Sequence, residues 1–140
     1  LASDNLGVNW AAKTSDPVAG VINGIAYGNG RWFAAGWDVA TDYFIETSAD
    51  GNTWDENASA FTDTVEGVSY DSGIFVVTGQ ELTTNLGTIW VSFDGLTWLK
   101  ITNLKAFKLQ LACAGSTCWV AIGLADGADA YVLKSLNFPY

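Results

Sequence analysis

The 140-residue chain has no histidine, no methionine, a single arginine and two prolines. Without histidine the usual general base is missing, and so are the Ser-His and Cys-His nucleophile pairs. Arg31 and five scattered lysines stand against 15 acidic residues, for a net charge of −9. A nucleic-acid binder needs a basic stripe to neutralise phosphates, so nucleic acid is excluded as a partner. An anionic membrane surface is disfavoured on the same ground, and the acidic surplus reads as solubility. No apolar run is long enough to cross a membrane as a helix, so no membrane insertion is expected. Two cysteines without histidine cannot complete a tetrahedral metal site, and neither a metal nor a cofactor is expected. The chain opens on Leu1 without a methionine anywhere. That leads us to expect a removed leader, as signal-peptide cleavage would produce, or a trimmed sequence.

What is present points to strands. Apolar residues make up 49% and aromatics 14%, enough for a core, and fifteen glycines suit many tight turns. No long amphipathic helical pattern exists, and Leu104–Leu109 is the nearest and too short. The heptapeptide Ser48-Ala49-Asp50-Gly51-Asn52-Thr53-Trp54 returns as Ser92-Phe93-Asp94-Gly95-Leu96-Thr97-Trp98. Each follows an apolar run, Tyr43-Phe44-Ile45 or Thr88-Ile89-Trp90-Val91. Ser and Asp accept backbone N–H groups, Gly supplies positive φ, and Trp packs as the next strand leaves: a hairpin turn.

Other landmarks keep the same period. Ile25-Ala26-Tyr27 through Gly36 aligns with Val68-Ser69-Tyr70 through Gly79, and Leu111-Ala112-Cys113 through Gly123 forms a third copy. Closing glycines Gly36, Gly79 and Gly123 recur at intervals of 43 and 44 residues, and Ser48, Ser92 and Ser135 at 44 and 43. Each unit reads as a four-stranded antiparallel meander of blade length. The expected fold is all-β, built of β-propeller blades, with an unrelated all-β sandwich of similar hairpins as the alternative.

The repeated heptapeptide resembles a shortened Asp-box, the turn between the outer strands of BNR-type propeller blades. The resemblance implies a propeller fold and peripheral structural turns at Ser48, Asp50, Gly51, Trp54, Ser92, Asp94, Gly95 and Trp98, without catalytic duty. Ser3-Asp4-Asn5-Leu6-Gly7-Val8-Asn9-Trp10 fits a longer eight-residue form with Asn5 in the Asp place, and Ser135-Leu136-Asn137 begins a further copy. Trp10 precedes Gly36 by 26 residues, while Trp54 and Trp98 precede Gly79 and Gly123 by 25. Residues 1–17 therefore read as an outer strand without its own blade. Blades follow over 18–60, 61–105 and 106–140, the last lacking its outer strand, all within one unit over 1–140. Ser3, Asn5, Gly7 and Trp10 would mark a strand completing the last blade or a neighbour's. Three blades fall short of the roughly four that propellers need to close. A dimeric six-bladed ring, an open filament or a fragment of a longer propeller would each resolve this.

Cys113 and Cys118 flank a hairpin turn of the third unit, where a disulfide is expected, pointing to an oxidising compartment. Two free cytosolic thiols are the alternative. Asn57-Ala58-Ser59 is a glycosylation sequon, expected to be exposed just past an outer strand. Together these suggest an extracellular or cell-surface setting.

No enzymatic activity is expected. The sialidases that carry Asp-boxes clamp a carboxylate with several arginines, and Arg31 alone cannot do so. Asp38, Asp42, Glu46, Glu81, Asp126 and Asp129 could form a glycosidase carboxylate pair, but solvated loop carboxylates are the plainer reading. Asp126-Gly127-Ala128-Asp129 reads as a turn rather than a calcium loop. Two noncatalytic functions remain. One is a structural or adhesive subunit that works by self-assembly. The other is a lectin-like glycan binder, for which Trp37 and Trp90, lacking repeat counterparts, are the candidate ligand aromatics.

Overall fold

Turn signals and apolar runs become eleven strands in the computed structural model, which describes residues 3, 5–12, 20–38, 43–101, 104, 108–115, 118–124 and 130–134. They are β1 (Gly20–Gly28), β2 (Arg31–Asp38), β3 (Tyr43–Ser48), β4 (Asp55–Phe61), β5 (Thr64–Asp71), β6 (Ile74–Gln80), β7 (Gly87–Ser92), β8 (Leu99–Ile101), β9 (Lys108–Ala114), β10 (Trp119–Leu124) and β11 (Ala130–Lys134). The described residues include no helix. The protein is all-β, with three antiparallel sheets: β1-β2-β3-β4, β5-β6-β7-β8, and β9-β10-β11. Trp54 and Trp98 stand one residue ahead of β4 and β8 rather than inside them.

The sheets stack through two apolar layers. Phe75 and Val77 of β6 point to the first sheet and pack with Phe33, Ala35, Ile45 and Phe61. Their neighbours Ile74 and Val76 point the other way, to Leu109, Ala112 and Trp119 of the third sheet. A strand covered on both faces loses its polar alternation, which is why Ile74-Phe75-Val76-Val77 is apolar throughout. First strands of adjacent sheets also meet directly. The Asn23 amide donates to the Val65 carbonyl at 2.7 Å, and the Ser69 hydroxyl donates to the Ala112 carbonyl.

The closing glycines have a steric cause. Pairing shifts by one residue between Ile22 and Gly24, between Val65 and Gly67, and between Ile122 and Gly123. These bulges press a first-strand carbonyl onto the second strand. A Cβ at Gly36, Gly79 or Gly123 would overlap the carbonyl oxygen of Val21, Thr64 or Lys108 respectively.

Three expectations are corrected. In the third unit Ala112, Cys113 and Ala114 lie opposite Ala121, Val120 and Trp119, as Val68, Ser69 and Tyr70 lie opposite Val77, Val76 and Phe75. The third copy is therefore offset by one residue from the sequence alignment. That offset removes the disulfide: Cys113 faces Val120, the Gly115 N–H bonds the Cys118 carbonyl, and both thiols are free. The cysteines are diagonal neighbours, where Cα atoms stand about 7–8 Å apart, beyond disulfide reach. Finally, no outer strand forms among residues 3 and 5–12, which instead build an exposed turn with Leu6, Val8 and Trp10 in solvent.

Candidate functional site at the ends of the stack

The repeated turns are built as their residue types require. Ser92 Oγ accepts the Gly95 N–H at 2.8 Å and donates to Asp94 Oδ1 at 2.9 Å, and that carboxylate accepts Leu96 and Thr97 N–H groups at 2.8 and 2.7 Å. Ser48 and Asp50 repeat this, with Gly51, Asn52 and Thr53 as donors at 2.8, 2.8 and 3.1 Å. Gly51 and Gly95 share a φ of 74°. A Cβ on Gly95 would overlap the Phe33 ring, so this turn also leans on the first sheet.

The N-terminal copy closes the same way with one residue more. Ser3 Oγ accepts the Gly7 N–H at 2.9 Å and donates to Asn5 Oδ1 at 3.0 Å, and Asn5 Oδ1 accepts the Asn9 N–H at 2.8 Å. The extra residue, Leu6, takes a φ of 57°. Asn5 thus does with a carboxamide what Asp50 and Asp94 do with carboxylates.

Those carboxylates carry a pH signature. Asp94 is lowered from 3.8 to about 2 by the Thr97 and Leu96 N–H groups and then the Ser92 hydroxyl, and Asp50 is lowered by Asn52 and Thr53. A depressed folded-state pKa adds stability above the unfolded value, lost as pH falls through the folded one. The turn contribution should be complete above about pH 4 and fade towards pH 2. Asp94→Asn should flatten that acid slope of the melting temperature while keeping the turn, as Asn5 does. An unchanged slope would refute the assignment.

The two outer faces of the stack differ from the inner ones. Trp32 lies opposite Ser48 as Phe75 lies opposite Ser92, so both hold one register place. Phe75 is sealed between sheets, whereas Trp32 is 37% exposed and stacks at 4.9 Å on an exposed Tyr27. Ile22 and Ile25 add exposed apolar surface to that side, while Phe44 and Glu46 farther along the sheet are buried. At the other end Ile122 holds the place of the buried Thr78 and is 44% exposed, with Leu124 and Val132 exposed beside it. Sequence reading did not single out these residues. Their signal was positional: apolar types at register places whose internal counterparts are buried.

The remaining expected residues separate. Trp90 is corrected from a ligand aromatic to a core residue: it is 4% exposed, with its ring edge-on to Phe61 at 5.2 Å. Trp37 is 36% exposed at the end of β2, opposite Tyr43. Asn57 lies inside β4, paired with Ile45, rather than beyond it. Glu46 is a buried strand residue, not a loop carboxylate. Asp126, Asp129 and Ser135 to Asn137 lie outside the described residues. The densest charged group joins Lys100 to Asp63 at 2.5 Å and to Glu81 at 3.1 Å. Burial pulls the ammonium down, but its two carboxylate partners outweigh this and hold it above its ordinary value. It ties β8 to the connection between the first two sheets. Comparison of the chain with protein-family models, curated proteins and solved structures finds no match in any of the three.

Proposed function

We propose that the chain is a non-catalytic subunit that acts by assembling with copies of itself, its sheets serving as blades of an Asp-box β-propeller. One observation carries this reading. The end faces repeat the register of the internal interfaces yet lack a partner: Trp32 stands where Phe75 is buried, and Ile122 where Thr78 is buried. Exposed apolar patches of this kind mark interaction surfaces. The two faces are different surfaces, so a contact between them is head-to-tail and yields either a closed ring or an open filament. A structural or adhesive role follows from such an assembly. An extracellular setting, the disulfide now gone, rests on the Asn57 sequon alone. The glycan-binding alternative loses Trp90 to the core.

Light scattering over a range of concentrations tests the proposal. The chain weighs 14.9 kDa, and the mass should climb above that value with concentration. A plateau at six blades would mean a ring, and no plateau a filament. A mass fixed at the monomer would refute self-assembly.

A further inference from the structure

An apolar cavity of about 220 Å3 lies between the second and third sheets, lined among others by Ile89, Ile101, Leu104, Trp119 and Leu133. The matching space between the first and second sheets is filled. There Trp98, which follows the second Ser-Asp-Gly turn, sets its ring 5.5 Å from Phe61 and 6.4 Å from Phe75. The cavity walls hold the counterparts of that cluster. Trp119 holds the place of Phe75, Leu133 lies opposite Ala121 as Trp90 lies opposite Val77, and Leu104 follows Phe61 by 43 residues. Among the described residues of the third sheet none takes the place of Trp98.

The chain carries a spare. Trp10 follows the Ser3–Asn5–Gly7 turn as Trp98 follows its own, and it is 61% exposed, its indole N–H bonded to the Gly7 carbonyl at 3.0 Å. The third sheet ends on β11, whose outer edge is unpaired among the described residues. Turn, cavity and edge are all formed within one chain, yet they do not meet there. We propose that Trp10 of one copy docks in this cavity of a second copy, its segment adding a fourth strand along β11. Main-chain bonds to an open edge would supply affinity, and the indole pocket would supply specificity. This rests on the self-assembly reading and names its joint.

Two complementary variants test it. Trp10→Ala keeps the acceptor and loses the donor, while Leu133→Trp keeps the donor and fills the cavity. Each alone should associate roughly 30-fold or more weakly than wild type, the loss of one buried aromatic anchor. Mixed, they should form a 1:1 pair that grows no further. Should Leu133→Trp fail to melt cooperatively, Leu104→Phe takes its place, since Phe61 shows that the repeat accepts phenylalanine there. Variants that associate like wild type would overturn the docking and leave self-assembly standing on the end faces. Weakened variants that do not pair when mixed would overturn the docking too. A wild-type chain monomeric throughout would overturn both. If Trp10→Ala then lowers the melting temperature of that monomer, the cavity belongs to the chain's own Trp10.

Discussion

Phe75→Ala should cost about 3–5 kcal/mol of folding stability, the range for deleting a fully buried aromatic, and Trp32→Ala no more than about 1 kcal/mol. The two residues hold one register place in successive sheets, so the comparison isolates burial from strand position. Phe75 is fully buried, its ring 4.2 Å from Phe33, 4.5 Å from Tyr70 and 6.4 Å from Trp98. Those partners come from both sheets of the layer, and truncation leaves a void none of them can close without parting from another. For a chain of this size the loss should lower the melting temperature by roughly 10–15 °C. Trp32 has solvent over much of its surface, and its truncation should instead weaken association if that face is an interface. Denaturant titration with an unchanged slope gives the comparison directly. Equal costs at the two positions would mean that the sheets are not stacked through Phe75.

What was legible in the sequence were features with a steric or hydrogen-bonding cause. The Ser-Asp-Gly turns could be read because a hydroxyl, a carboxylate and a positive-φ glycine are each required at fixed offsets. The closing glycines could be read because a bulged carbonyl leaves no space for a side chain at Gly36, Gly79 or Gly123. Even the weak copy at Ser3 to Trp10 was legible, since Asn5 supplies the same acceptor oxygen as Asp94.

What was not legible depended on neighbours in space. A bulge shifts pairing without leaving a fixed residue type behind, so Cys113 was placed one step from its register and a disulfide inferred that the hairpin cannot form. Trp90 was singled out because it lacks a repeated counterpart. Its irregularity comes from the layer it fills, edge-on to Phe61, where the next layer has Leu133 beside a cavity. Departure from a repeat marked packing there rather than binding. The exposed ends had the reverse problem, because Trp32 reads as a core residue until its sheet is found to be the outermost described one.

The same bulge yields the second large effect, with Gly79→Ala expected to cost about 3 kcal/mol or more and Gly115→Ala almost nothing. At Gly79 a Cβ would overlap the Thr64 carbonyl and lie 3.2 Å from Trp90 Cζ3. Neither neighbour can yield cheaply. Thr64 is pinned by its pairing with Gln80, to whose N–H its hydroxyl adds a 2.9 Å bond. The Trp90 ring is held edge-on against Phe61. Relief would require undoing the bulge, and with it the register that sends Val65 and Val68 to one face and Ser69 to the other. At Gly115 the nearest atom to an added Cβ is the Cys118 carbonyl at an ordinary 3.5 Å. The two glycines are thus opposite cases of one substitution, and thermal melts of both variants distinguish them. A Gly79→Ala protein as stable as Gly115→Ala would show that the bulge does not press on β6, and the closing glycine would lose its physical reason for recurring.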